Sequence, residues 1–215
     1  MKGREHIMKS KKLLRYFKNY TPFIGIGAVL VIVGFLIYWY SFEIWAIGTP
    51  ILAVGLVLAV LGMIMGVNDA AYISYFTEKA DSARNDNPHE NAPDYTADEF
   101  ILEGNSYGKL DKSQRPRSEL FVRTDIFFGK KTIEVISYRV NLLDDSLASE
   151  KHEFPLSDVT ASVEEKETRV RGNLKKLSYM TISAGDEKIT FPVRYNDIEV
   201  DQLAEKINDA KKHLA

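Results

Sequence analysis

Residues 22–67 read PFIGIGAVLVIVGFLIYWY, then SFEI, then WAIGTPILAVGLVLAVLGMIMGV, with Glu43 the only charge in the stretch. As helices, the first run (22–40) reaches about 28 Å and the second (45–67) about 34 Å, against a hydrocarbon core of roughly 30 Å. Backbone amides in lipid must pair within their own segment, so both runs are expected to be helical. Only Ser41, Phe42, Glu43 and Ile44 separate them. So short a link makes an antiparallel transmembrane hairpin, with both chain ends on one side. The lipid bilayer is therefore the first expected partner.

Small residues recur along both runs at seven-residue spacing: Gly27 and Gly34 on the first, Gly48, Gly55 and Gly62 on the second. Seven residues are close to two helical turns, so each set forms a smooth stripe where helices can approach closely. The stripes either face each other within one hairpin or drive homo-oligomerisation. No ionisable residue lies in mid-membrane, which argues against an ion or proton path through the hairpin alone. Aromatic residues flank the spans. Tyr38, Trp39, Tyr40, Phe42 and Trp45 cluster at the tip, while Tyr16, Phe17, Tyr20, Tyr72, Tyr75 and Phe76 sit at the other end. Amphipathic rings prefer headgroup depth, so these read as interfacial anchors.

Residues 1–21 form a basic segment holding Lys2, Arg4, Lys9, Lys11, Lys12, Arg15 and Lys18 against the lone Glu5. Short basic flanks stay inside, which places both termini in the cytoplasm and the protein in the cell (inner or plasma) membrane as a multi-pass protein. A signal peptide is the competing reading. Its h-region would be too long, no small-x-small cleavage site follows Tyr40, and a second apolar run comes at once.

Outside the hairpin the chain is polar. A net charge of −2 gives no general reason to expect nucleic acid. The absence of cysteine excludes disulfides, thiolate metal sites and a cysteine nucleophile. Residues 68–98 read as a juxtamembrane helix fading into a polar linker punctuated by Pro88 and Pro93. From 99 to 215 the pattern becomes that of strands, at 100–102, 120–128, 132–143, 150–156, 159–165, 177–183 and 188–194. An amphipathic helix closes the chain. Asn196 and Glu199 are placed to cap it, and Val200, Leu203, Ala204, Ile207, Ala210 and Leu214 form its apolar face.

Phe154-Pro155-Leu156-Ser157-Asp158-Val159, followed by Ser162-Val163-Glu164, resembles the middle strands of bacterial pleckstrin-homology-like and GRAM-like domains. The strand–Gly185-Asp186–strand–helix tail is similar to theirs in order. The resemblance implies an α+β membrane protein: the hairpin followed by a seven-stranded antiparallel β-barrel capped by the C-terminal helix. In lipid-binding members the loop after the first strand carries a basic phosphoinositide motif, which Lys112 with Arg115-Pro116-Arg117 matches loosely.

Two basic loops stand out: Lys109, Lys112, Arg115 and Arg117, and Lys166, Arg169, Arg171, Lys175 and Lys176. They are either solvated loop charges or a site for anionic lipid or an acidic protein surface. The histidines, at 6, 89, 152 and 213, are scattered, and His89-Glu90 has no metal-ligand spacing. No catalytic set, metal site or cofactor motif is legible. The sequence therefore points to a non-enzymatic, membrane-anchored interaction or scaffolding module with protein partners. Lipid binding through the basic loops, or a place as accessory subunit of a larger transport or secretion complex, are the alternatives.

Overall fold

The computed structural model describes residues 12–40, 45–102, 107–194 and 197–210. They fall into two compact units, Lys11–Tyr72 and the chain from Ile73 onward.

In the first unit, α1 (Thr21–Tyr40) and α2 (Trp45–Met65) are the two apolar runs. Both are long and apolar enough to cross a membrane. Large apolar side chains, among them Ile26, Ile32, Ile47 and Ile64, stand exposed on their outer faces. The inner faces meet at the glycines. A Cβ added at Gly27 would lie 2.5 Å from the Ala59 amide nitrogen, and one at Gly34 2.6 Å from that of Leu52. At Gly55 it would lie 2.7 Å from the Val31 nitrogen, at Gly48 3.1 Å from the Gly34 oxygen, and at Gly62 2.7 Å from the Ile24 side chain. The two stripes therefore face each other within one hairpin, backbone nearly on backbone.

A third helix, α3 (Asp69–Asp86), begins where Asn68 caps it, its Oδ1 accepting the Ala71 N–H at 2.7 Å. The boundary between the units falls inside this helix. On the hairpin side, Tyr16 stacks on Tyr72 with ring centroids 4.0 Å apart and donates to Asp69 Oδ1 at 2.6 Å. Phe17 meets Tyr72 edge-on. The anchoring role read for Tyr16, Phe17 and Tyr72 does not hold, because all three are buried against protein.

The second unit takes the rest of α3. Tyr75 and Phe76 are buried as well, the latter against Phe100 and Phe121 at 5.2 and 5.6 Å. Ala80 and Ala83 continue that buried face. The polar face is tied down too. Lys79 Nζ lies 2.5 Å from Asp145 Oδ1, and the Tyr75 hydroxyl donates to the same carboxylate. Arg123 grips Asp98 with a fork of 2.6 and 2.7 Å and reaches Asp81 with its remaining nitrogen. These hydrogen bonds, above all those to Asp98, hold the guanidinium even more firmly protonated than usual. Asp125 is wholly buried, and burial pushes its carboxyl up. The Thr96 hydroxyl at 2.7 Å and the Arg84 charge at 3.2 Å oppose that rise. Residues 68–98 thus hold the helix α3, a short polar stretch and the start of a strand. The helix from Ile73 is fastened to the sheet, and the linker shrinks to 87–94. The helix runs on past Ala83 to Asp86, and α3 turns Asp81 and Arg84 toward charged sheet residues.

The strands are β1 (Tyr95–Ile101), β2 (Gly108–Leu110), β3 (Pro116–Ser118), β4 (Leu120–Phe128), β5 (Thr132–Asn141), β6 (Ser146–Pro155), β7 (Thr160–Val170), β8 (Asn173–Ala184) and β9 (Glu187–Val193). They form antiparallel sheets in the orders β1-β4-β5-β6, β2-β3 and β7-β8-β9. All seven strands read from the sequence have counterparts, and the short β2 and β3 are additional. Phe154, Leu156 and Val159 are buried where the chain leaves one sheet for the other. One core joins the two larger sheets, with Ile126, Ile133 and Val135 from one and Met180, Ile182 and Phe191 from the other. Helix α4 (Ile198–Ala210) adds Val200, Leu203, Ala204 and Ile207 to that core. The capping role read for Asn196 and the apolar-face role read for Leu214 lie outside the described residues.

The expected closed barrel is not formed, because no strand pairing joins the larger sheets among the described residues. The physical reason lies at the edges. The β6 edge is exposed over residues 146–151 and carries Glu150 and Lys151, and the outer half of β7 is rich in charged side chains. Charged edges resist further pairing. Part of the β7 edge is also taken by a side chain, since Asn208 of α4 both donates to the Ala161 carbonyl and accepts its N–H, each at 2.9 Å.

Candidate functional site

The first basic loop is the β2–β3 hairpin, folded around Asp111. One carboxylate oxygen accepts the N–H groups of Ser113 and Arg115 at 2.8 and 2.9 Å, and the other takes Arg117 Nη2 at 2.6 Å. Arg117 is buried, with its guanidinium 5.0 Å from the centre of the Phe100 ring. That cation is committed to the fold. Lys109 lies on β2 and Lys112 in the turn. The second basic loop is the β7–β8 hairpin. Its turn places Arg171 and Gly172 at φ of 50° and 84°, the pair of positive values that a two-residue hairpin turn favours. Lys166 sits 5.0 Å above the Tyr179 ring, Lys176 lies 3.3 Å from Glu165, and Arg169 lies opposite Leu174 in the ladder.

The two hairpins meet. Arg171 Nε donates to the Gly108 carbonyl at 3.1 Å, which pins one loop to the other. Beside this junction lies a cleft of about 440 Å³. Arg115, Lys175 and Lys176 of the predicted set line it, and Arg194 joins them. Leu174, Leu177 and Pro116 give it apolar walls. Arg194 escaped the sequence reading because it stands alone, just past the end of β9. Only the packing of the β9 end beside β8 brings it to the other cations.

Glu99 lies between this cleft and a second one of about 340 Å³ that runs toward α3 and the start of α4, and Arg115 and Arg194 line both. Burial raises the Glu99 carboxyl, while Arg117, Arg194 and Arg115 pull the other way and only partly succeed. In the second cleft the Tyr95 hydroxyl is pushed up to about 12, chiefly by burial and then by Asp197 and Glu199. Such an arrangement favours an anionic group over a further cation at the shared wall.

The chain was compared with known proteins: no protein-family model matches it, and neither a curated protein nor a solved structure does.

The raised Glu99 has a measurable consequence. Below the ordinary glutamate range, near 4.3, the folded and unfolded chains both hold this proton. Above it, the unfolded chain releases the proton first, so stability from this group falls as pH rises through its folded value. Glu99→Gln is therefore expected to gain on the wild type with rising pH, the gap levelling off once Glu99 is ionised in both states. Urea midpoints at a series of pH values would check this. A gap independent of pH would contradict it.

The other titratable clusters serve the fold. His152 Nδ1 lies 2.8 Å from Glu187, and His89 stacks on Phe127 at 3.8 Å with Glu134 at 3.5 Å. Among the described residues, no group of three or more His, Asp or Glu is placed to hold a metal ion.

Proposed function

We propose that this chain is a membrane-anchored, non-enzymatic interaction module. In this reading α1 and α2 cross the cell membrane with both termini in the cytoplasm. The unit from Ile73 is a bacterial pleckstrin-homology-like domain that binds protein partners at the inner leaflet. Support for the domain assignment comes from the order of elements, four main strands, then three, then a closing helix, around one core. Support for an interaction role comes chiefly from one observation. A cation-lined, apolar-walled cleft opens on a tightly tied domain, between two hairpins that Arg171 joins. The same meeting of basic loops favours a second reading, in which the cleft takes an anionic lipid headgroup. The accessory-subunit alternative loses its specific feature, because Gly55 and Gly62 face α1 rather than an outer surface.

The test is affinity purification from crosslinked membranes. A partner of the domain should still be recovered when residues 21–65 are replaced by an unrelated two-span anchor. Recovery that follows the native hairpin instead would favour the accessory-subunit alternative and sink this one.

A further inference from the structure

We propose that two copies of this chain pair edge to edge through β6, antiparallel about a two-fold axis at Ser149. This surface shares no residue with the cation-lined cleft and goes beyond the reading given to it. β6 is the last strand of its sheet and has β5 on one side only. Residues 146–151 are all exposed. The phase of the ladder decides which main-chain groups face out. The Leu156 N–H donates to the Lys131 carbonyl at 2.9 Å, and the register continues from there with Phe154 opposite Ile133. Bonded pairs alternate along an antiparallel ladder, so β6 turns its even-numbered residues toward β5. The Leu142 N–H, donating to the Glu119 carbonyl at 2.9 Å, gives β5 the same phase from its other side. The main-chain N–H and C=O groups of Leu147, Ser149 and Lys151 therefore point away from the sheet, with no hydrogen-bond partner among the described residues.

The charges on this edge select the occupant. β7 carries Glu164, Glu165 and Glu167, a poor match for Glu150. A second β6 matches it. With the axis at Ser149, that residue meets Ser149 of the second copy, Leu147 meets Lys151, and Ala148 meets Glu150. No like charges stand opposite each other, whereas an axis at Glu150 or Lys151 would set that charge against itself. Arg139 is the β5 neighbour of Ala148, exposed on the same face. Neither Arg139 nor Glu150 has an ion-pair partner among the described residues. Ala148 is short, so Arg139 can cross it toward Glu150 of the second copy, two strands or roughly 10 Å away at the backbone. Symmetry makes this contact twice. On the other face Leu147, 40% exposed, comes beside the aliphatic stem of Lys151, whose charge Glu134 already holds at 2.8 Å. The five residues 147–151 would exchange about six main-chain hydrogen bonds across the axis. An unrelated strand could take the same bonds; what a second β6 adds is the reciprocal match of Arg139 and Glu150.

The test uses the full chain in membranes isolated from the cells that express it. The chain has no cysteine, so single cysteines report contacts without background. Opposite residues of a hydrogen-bonded antiparallel pair stand about 5.5 Å apart at Cα, within disulfide reach. Ser149→Cys is expected to give a disulfide-linked dimer on mild oxidation, at least tenfold more than Ser146→Cys, whose two copies would lie about 20 Å apart. Adding Glu150→Arg to Ser149→Cys should cut the crosslink about tenfold, and adding Arg139→Glu as well should restore it. The far-UV circular dichroism of each purified variant should stay that of the wild type. Equal crosslinking through Ser149→Cys and Ser146→Cys would overturn the proposal. So would a yield that ignores Glu150→Arg, or a loss that Arg139→Glu fails to rescue in a folded variant. A dimer trapped by an amine-reactive crosslinker, with no disulfide through Ser149→Cys, would put the interface elsewhere and overturn it equally.

Discussion

A fragment beginning at Ile73 is expected to fold, and one beginning at Asp98 is expected to lose most of its stability. The shorter fragment looks natural from the sequence, since the strand pattern starts there. It would discard Phe76, which is fully buried against Phe100 and Phe121. Burying such a side chain is worth about 1.5–3 kcal/mol. It would also remove Thr96 and Arg84, the partners of the wholly buried Asp125, and Asp81, one of the two carboxylates on Arg123. Stripping the partners from a buried charge costs about 3–5 kcal/mol. The β1 pairing of Tyr95, Thr96 and Ala97 with Ile126, Asp125 and Thr124 goes too. Together these losses rival the whole stability of an ordinary domain, about 5–15 kcal/mol. Urea titration of both fragments by far-UV circular dichroism checks this. Equal midpoints would contradict the role given to α3.

The hairpin makes an equally sharp contrast. Gly25→Leu and Gly27→Leu lie two residues apart on α1 and should act in opposite directions. At Gly25 an added Cβ meets nothing within 4 Å, while at Gly27 it meets the α2 backbone at 2.5 Å. A better helix former at the open position gains up to about 1 kcal/mol. At the closed position the helices must separate, and overpacking of this kind typically costs about 1–3 kcal/mol, more where backbone is the obstacle. Unfolding of the two variants in mixed micelles by titration with sodium dodecyl sulfate should place them on either side of the wild type. Equal midpoints for the two variants would mean that the stripes do not pack as described.

What could be read in advance, and what could not, follows from the range of the interactions. The two apolar helices were legible because length and composition are local properties of residues 22–67. The strands at 120–128 and 188–194 were legible because alternation is local too. The hairpin turn at Gly185-Asp186 announced itself in the same way. The fate of α3 was not legible. Its Asp81, Arg84 and Lys79 look like a solvated face until Arg123, Asp125 and Asp145 come up beside them. The barrel expectation failed for a related reason, since a strand pattern does not say which edges pair. Arg117 looked like part of a basic patch and proves to be a core cation over Phe100. Arg194 looked like nothing and proves to line the cleft. Both outcomes depend on contacts far apart in the chain.

Anchoring by α1 and α2, with the second unit left on the cytoplasmic side, is tested most directly by thiol accessibility. The chain has no cysteine, so single cysteines introduced at Ser41 and at Ser146 report without background. Ser41 lies in the four residues of sequence between α1 and α2, and Ser146 is exposed at the start of β6. In intact cells an impermeant thiol reagent is expected to label the cysteine at position 41 and to spare the one at position 146 until the membrane is opened. Labelling at 146 with protection at 41 would invert the topology, and equal labelling of both before the membrane is opened would show that the helices do not span it.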